Sequence, residues 1–531
     1  MSVYLIFFSL IILLCIFCNK ISGKLGIPVL LAFICLGMVF GSDGIFKIKF
    51  DNYEFAEQIC TVALIFIMFY GGFGTNWKTA RPAASKSIML STCGVIITAA
   101  ITGLFCHFAL HFSLLESLLI GSVVSSTDAA SVFSVLRSKK LNLKDNTASI
   151  LEVESGSNDP CSYMLTVIIL SLMSGNNSGG KIILMIFSQL FFGVLFGIVT
   201  ALAAVAVLKR FNFSKGFDSI FVVASAVLAF ALPSAINGNG YLSVYIFGII
   251  LGNKSFKNKR NLVVFFDGIT GLMQMTIFFL LGLLAFPSQI PDIIVPSIFI
   301  TLFLTFVARP LAVFALLTPF RCKLNQILLI SWSGLRGAAS IVFAIIAVIS
   351  PAYTKFDIFH IVFCIVLFSI AIQGTLIPAA AKILNMTDEQ NNVMKTFNDY
   401  TDEVPIQFIQ LVIKTGHPWT KLMIKDVPLP PNTLIVMIIR EKQRVIPNGN
   451  TVIMENDILV LSAQAFKYAE KICLNEITVP ENHEWINKSI AEIDLLPDKL
   501  IVMIQRNGKI IIPQGQTKIA CNDIVVINEI D

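Results

Sequence analysis

Charge is what this chain has least of. Only 14% of its 531 residues are Asp, Glu, Lys or Arg, against 56% hydrophobic, and the mean hydropathy is +0.80. Soluble domains carry about 25% charged residues, so a single large soluble enzyme is excluded. Histidine is also scarce, at five residues, and no His-Glu-x-x-His zinc element occurs, which argues against an intramembrane metalloenzyme. No Gly-x-Gly-x-x-Gly fingerprint occurs, so neither NAD nor ATP is expected. A potassium channel needs a carbonyl-ring filter such as Thr-Val-Gly-Tyr-Gly, and none is present. No basic residue precedes Lys20, so the first apolar stretch lacks the positive region of a cleaved signal. The eleven cysteines lie mostly inside apolar runs. Cys15-x-x-Cys18 has metal spacing but reads as apolar filler.

The net charge of +6 hides two unlike parts: residues 1–387 sum to +11 and residues 388–531 to −5. A spanning helix takes about 20 apolar residues. Thirteen candidate segments meet that pattern, at 3–19, 26–41, 55–71, 87–107, 113–136, 147–174, 182–208, 217–236, 239–252, 262–286, 292–318, 324–350 and 358–384. The ninth is short. Alternate connections nevertheless hold 18 basic residues on one side, including Arg137, Lys139, Lys140, Lys144, Lys254, Lys257, Lys259 and Arg260. The other side holds only Lys47, Lys49, Lys181 and Lys355. Removing the ninth segment would scramble this asymmetry. Basic loops stay in the cytoplasm, so thirteen spans place the N-terminus outside and the C-terminus inside a plasma membrane.

Ionisable groups at membrane depth cost roughly 2.5–3.5 kcal/mol each on insertion scales and mark pathways. The deep ones are Asp128, Glu152, Glu154, Asp159, Asp267, Arg309 and Arg336; Glu57 and Glu116 lie near segment ends. Segment five contains Ser125-Ser126-Thr127-Asp128-Ala129-Ala130, a polar run that favours a broken helix. Segment six contains Glu152-Val153-Glu154-Ser155-Gly156-Ser157-Asn158-Asp159-Pro160. Pro160 cannot donate to the turn before it, and irregular backbone at depth survives only when buried in protein or lining a cavity. Segment twelve contains Ser333-Gly334-Leu335-Arg336-Gly337-Ala338, one guanidinium among small residues. Glu154 and Arg336 are expected to pair and lock helices. Asp128 and Asp159 offer hard oxygens beside hydroxyls. An anion out of water is costly, so one such Asp holds either a proton or a cation, and competition between them is the minimum machinery of electroneutral exchange. Segments five and twelve are seven apart and therefore antiparallel, which fits an inverted repeat of broken helices crossing near the midplane.

These residues carry a resemblance. Ser126-Thr127-Asp128-Ala129-Ala130, Leu151 through Pro160, Ala308-Arg309-Pro310 and Gly334-Leu335-Arg336-Gly337-Ala338 resemble the NhaP-like monovalent cation:proton antiporters, in particular the potassium/proton sub-branch, over nearly all of residues 1–385. The resemblance implies that Asp159 alternates between cation and proton, that Asn158, Asp128, Thr127 and Ser155 shape its site, that Glu154 pairs with Arg336, that Arg309 is a conformational element, and that the protein is a homodimer in the bilayer exchanging K+ or Na+ for H+ without nucleic-acid partners. Where relatives often carry an acid at the end of segment three, this chain has Tyr70, whose hydroxyl is the remaining possible ligand there. A gated potassium channel and an organic-anion transporter are the competing functions.

Residues 388–531 contain a duplication at a constant offset of 66. His417-x-Trp419 matches His483-x-Trp485, Leu434–Ile438 matches Leu500–Ile504, and Arg440, Pro447, Gly449, Thr451, Asn456 and Asp457 match Arg506, Pro513, Gly515, Thr517, Asn522 and Asp523. A linker at 388–405 then precedes repeats at 406–472 and 473–531. Asn507-Gly508 signals a tight hairpin. Each repeat resembles the C-terminal subdomain of RCK potassium-regulating modules, which implies a small regulatory ligand such as cyclic di-AMP. The two histidines are either a metal or pH pair or packing partners of the tryptophans. The expected architecture is a polytopic α-helical membrane protein with a small α+β cytoplasmic region.

Overall fold

The computed structural model describes residues 2–25, 28–139, 141–175, 179–211, 213–214, 216–256, 259–352, 357–388, 406–430, 433–440, 443–464, 473–480, 483–493, 499–506 and 509–529. Two compact units form, Met1–Asp402 and Glu403–Asp531. The Asn507-Gly508 turn and nearly all of the 388–405 linker lie outside the described residues.

Every apolar segment of the first unit contains helix. Among the described residues, seven helices are long and apolar enough to cross a membrane, including Tyr53–Gly74, Gly179–Arg210 and Asn261–Leu284. Shorter apolar helices include Val29–Phe40 and Gly240–Gly252. The latter is the short ninth segment. It buries Tyr241, Val244, Tyr245, Phe247 and Leu251 among its neighbours, so protein rather than lipid satisfies it. Segments two and ten cross closely at Gly37 and Gly282: a Cβ on Gly37 would lie 2.2 Å from the Phe279 carbonyl, an approach that only glycine permits.

Two segments break where their polar runs predict. Segment five is helical over Leu114–Val123 and again over Ala129–Ser138; segment twelve is helical over Leu324–Trp332 and Ala338–Ile349. Segments four and eleven each carry a π-helical turn, at Leu90–Gly94 and Leu304–Ala308. That offset is again seven, although segment thirteen carries a further π-turn at Ser369–Gly374 with no counterpart in segment six. The second π-turn ends at Ala308 and re-aims Arg309, the kind of site where such bulges recur. Segment six differs from expectation. It stays helical from Thr147 to Met173 through Pro160. The proline removes one donor without unwinding the turn, and Asn239 Nδ2 donates to the Pro160 carbonyl at 2.8 Å.

The chain leaving segment thirteen is tied back to the unit. Leu143 and Thr387 form an antiparallel bridge. Lys144 N donates to Met386 O and Asp388 N to Asn142 O, both at 2.9 Å. Asn325 Nδ2 at the start of segment twelve donates to Leu384 O at 3.0 Å.

The second unit contains two four-stranded antiparallel sheets. Strands β1 (Ile406–Val412), β2 (Leu434–Arg440), β3 (Gln443–Val445) and β4 (Ile458–Gln464) are ordered β1-β4-β2-β3. Strands β5 (Cys473–Thr478), β6 (Lys499–Arg506), β7 (Lys509–Ile511) and β8 (Ile524–Glu529) repeat that order. Even the bulges coincide at the 66-residue offset, at Ile435/Met437 and Ile501/Met503. The α component expected of this region is reduced, among the described residues, to 3-10 turns at Ile424–Asp426 and Ile490–Glu492. Each histidine packs edge-on to its tryptophan, with ring centroids 5.2 and 4.6 Å apart, and accepts that tryptophan's backbone N–H. This packing explains the repeated His-x-Trp without a metal.

Arg440 grips the fully buried Asp457 through two bonds of 2.8 and 2.7 Å, and Arg506 grips Asp523 identically. Burial alone would raise these carboxyls. The guanidinium bonds and the Met454 and Ala520 N–H groups outweigh it and hold both below the usual range. Their stabilisation is therefore complete above the unfolded value of about 3.9 and is lost as pH falls through the depressed folded value. In scanning calorimetry of the full-length protein, the tail transition should fall on acidification below about pH 4. Asp457→Asn should lower it at neutral pH by the equivalent of about 1.5–3 kcal/mol. An unchanged transition would show that the pair contributes nothing to the fold.

Candidate ion-exchange site

The two breaks, Val124–Asp128 and Ser333–Gly337, face each other. Each leaves carbonyls at the end of one half-helix and N–H groups at the start of the next. Those groups find partners across the gap. Asp128 N donates to Leu335 O at 2.7 Å. Arg336 Nη1 donates to the Ser125 and Ser126 carbonyls at 2.9 and 2.7 Å, placing a cation at the negative end of the first half-helix. Asp128 caps the second half-helix: its Oδ1 accepts from Ser131 N at 3.3 Å and its Oδ2 from the Ser131 hydroxyl at 2.5 Å. Gly337 makes the crossing possible, since a Cβ there would meet the Asp128 side chain at 2.4 Å.

Segment six lies alongside and supplies Asp159. The Ser126 hydroxyl donates to Asp159 Oδ1. Asn158 Nδ2 donates to Thr127 Oγ1 at 2.5 Å. The Ser155 hydroxyl donates to Thr127 O at 2.9 Å and accepts from Ala129 N at 2.8 Å. Among the described residues no cationic group pairs with Asp159.

The pairing expected of Glu154 and Arg336 is not what forms. Glu154 Oε1 lies 2.5 Å from Arg309 Nη2, with both side chains almost wholly buried. The π-turn before Arg309 carries its guanidinium to Glu154, and Gly334 leaves room for it, since a Cβ there would sit 2.9 Å from Arg309 Nε. Arg336 is engaged instead by backbone carbonyls.

A cavity of about 730 Å³ reaches this crossing. Ser126, Thr127, Asp128, Ser155 and Asp159 line it, and Tyr70 and Asp267 form its opposite wall. It lies between the breaks and the end of the bundle bearing the basic connections, for its lining includes Gly74, Phe133 and Glu152. Asn158 does not line it; its side chain stands behind Thr127 and orients that hydroxyl. The Tyr70 hydroxyl donates to Asp267 Oδ1 at 3.2 Å. Two residues thus join the site beyond those expected. Ser126 sat in the polar run but showed no sign of facing Asp159. Asp267 stood out as a deep acid, yet only the packing of segments three and ten places it against Tyr70.

Crossed half-helices with a carboxylate beside the crossing are the plan of a secondary active transporter. The chain belongs to the sodium/hydrogen exchanger family: residues 9–383 match the model described as "Sodium/hydrogen exchanger, transmembrane". Residues 408–466 and 474–527 each match the TrkA-C domain. The K(+)/H(+) antiporter NhaP of Alkalimonas amylolytica is 32% identical over 463 residues, which cover 86% of this chain and 80% of that protein. The K(+)/H(+) antiporter NhaP2 of Shewanella sp. strain ANA-3 is 30% identical over 504 residues, covering 90% and 85%. The fold is that of the sodium proton antiporter MjNhaP1 from Methanocaldococcus jannaschii, with a TM-score of 0.62 at 22% identity, covering 72% of this chain and 98% of that one.

Gly337→Ala should drive a methyl group into Asp128 and part the two breaks. Exchange in vesicles should fall by at least about tenfold, since repacking an overfilled contact costs about 1–3 kcal/mol, while Gly268→Ala, which meets open space, should leave it within twofold. Equal activity of the two variants would refute the tight crossing.

Proposed function

We propose that this antiporter exchanges cytoplasmic K+ or Na+ for external H+ in a bacterial-type plasma membrane, one cation per proton, with thirteen spans and the C-terminal unit in the cytoplasm. The observation that carries this reading is Asp159. It keeps part of its surface open to the cavity, receives one hydroxyl from Ser126 and pairs with no cation among the described residues. A carboxylate held that way binds a proton or a desolvated cation in turn. Thr127, Asp128 and Ser155 supply further oxygens around it, and Asn158 positions Thr127. The cavity sits toward the basic connections, which the loop charge assigns to the cytoplasm, so this is the inward-facing state. K+ is the favoured cation because the two relatives above that are at least 30% identical are named K(+)/H(+) antiporters. The resemblance adds a homodimer, which cross-linking in membranes checks.

In everted vesicles with a proton-reporting dye, K+ and Na+ added in turn should evoke proton movement. Asp159→Asn should abolish both signals; full activity would sink its role. Asp267→Asn should instead change the ratio of half-saturating K+ to Na+, since it leaves the exchanging carboxylate in place.

The C-terminal unit is read as the regulator, with a small anionic ligand such as cyclic di-AMP as its effector. Support comes from the tie at residues 384–388, which binds the segment leading toward that unit to the connection between the two site-bearing segments. Deleting residues 403–531 should leave cation-evoked exchange intact and abolish any response to added cyclic di-AMP. A truncation that inserts normally but cannot exchange would show that the tail is part of the transport machinery.

A further inference from the structure

At the end of the bundle opposite the cavity lies a second recess of about 500 Å³, which the exchange site does not use. Glu57, Ser171, Ser174 and Ser350 give it a polar lining among apolar residues. Glu57 is half-buried, and its Oε1 accepts from the Thr61 hydroxyl at 2.8 Å. Thr61 Oγ1 in turn lies 3.3 Å from the Tyr241 hydroxyl. The first step leads inward along segment three and the second crosses to segment nine. The line then meets an aromatic layer. Tyr241 stands edge-on to Tyr163 with centroids 5.0 Å apart, and Phe343 packs on both, at 6.1 and 5.8 Å. Tyr163 follows Asp159 by four residues on one helix, a rise of about 6 Å. One aromatic layer therefore separates the hydroxyl line from the exchange site.

We propose that Glu57 is the outer-face docking carboxylate for the exchanged cation and proton, and that Tyr163, Tyr241 and Phe343 form the plug closing the path from Glu57 to Asp159. An interfacial glutamate whose only task is solubility has no need of an inward-directed hydroxyl chain. An exchanger open on one face must be sealed on the other, and the seal must lie between the carrier carboxylate and the far solution. The aromatic layer occupies that position. Glu57 and the three serine hydroxyls or their neighbouring oxygens then offer hard oxygen ligands where a cation leaving Asp159 first meets water. In the outward-facing state the rings part, and Glu57 hands its proton to Asp159 through the space they vacate. This inference rests on Asp159 as the exchanging group.

Sidedness tests it. Everted vesicles present the basic-loop end to the medium, and right-side-out vesicles present the Glu57 recess. In Glu57→Gln, the ratio of outer-face to inner-face half-saturating K+ should rise about tenfold, the size of one lost charge-assisted contact, and Glu57→Asp should restore part of it. An unchanged ratio would overturn the docking role. The plug has its own readout. Tyr241→Ala opens the outer seal while the inner cavity already stands open, so vesicles should lose an imposed pH gradient several-fold faster without added cation. Tyr241→Phe keeps the ring and should keep the vesicles tight, and Phe343→Ala should leak like Tyr241→Ala. Tight vesicles in both alanine variants would overturn the plug. Asp159→Asn run in the same vesicles separates the two readings, because cation-evoked exchange in that variant removes the carrier whatever Glu57 does.

Discussion

Everything at the exchange site depends on satisfying the backbone of two interrupted helices inside an apolar slab. Unpaired N–H and C=O groups there cost several kcal/mol each. The chain meets that cost with cross-gap bonds: Arg336 to the Ser125 and Ser126 carbonyls, and Asp128 N to Leu335 O. Each break thereby holds the other. Gly337 and Gly334 then follow as necessities of space, one admitting Asp128 and the other Arg309. Ser155 and Asp128 follow as well, since they accept from the Ala129 and Ser131 N–H groups that a regular helix would have satisfied itself.

The same constraint governs charge. Arg309 and Arg336 place two positive charges at the crossing, while Glu154 and the capping Asp128 supply two negative ones. With a proton or a monovalent cation on Asp159, the cluster of these five side chains is neutral, Glu152 and Asp267 on the cavity wall standing outside the count. With Asp159 bare, it carries one unbalanced negative charge in a poorly solvated place. Both loaded forms can therefore traverse the closed state at similar cost, and the empty form is penalised by several kcal/mol.

Much of this was legible in the residues alone. The loop charges, the two polar runs seven segments apart and the 66-residue repeat each follow from a pattern that one dimension records. The partner of Glu154 was not legible. Arg309 and Arg336 both sit among small residues, and the choice between them turned on a π-helical turn that shifts Arg309 by a fraction of a helical rotation. The Tyr70–Asp267 contact was hidden for a related reason, since it depends on the facing register of segments three and ten, set by close packing elsewhere along them. Segment six was over-read: a proline among polar residues suggested unwinding, whereas the helix runs on through it and forgoes a single donor.

The connection between segments five and six gives these interactions a mechanical consequence. Residues 142–147 join the helix ending near Ser138 to the helix carrying Asn158 and Asp159. On one side they bridge to Thr387 and Asp388. On the other, the Asp145 carboxylate takes Lys323 Nζ at 3.0 Å, and Gln326 Nε2 donates to Asp145 O at 2.9 Å and to Thr147 Oγ1 at 3.2 Å. Lys323 and Gln326 open segment twelve, whose break carries Arg336. Both broken segments and the exchanging helix are thus fastened at one end to a single hydrogen-bonded knot, and the outgoing chain is part of it. The Lys323–Asp145 contact is exposed and contributes little by itself. The buried amide bonds of Gln326 resist displacement more strongly, so force applied at Thr387 is transmitted through backbone and amide groups.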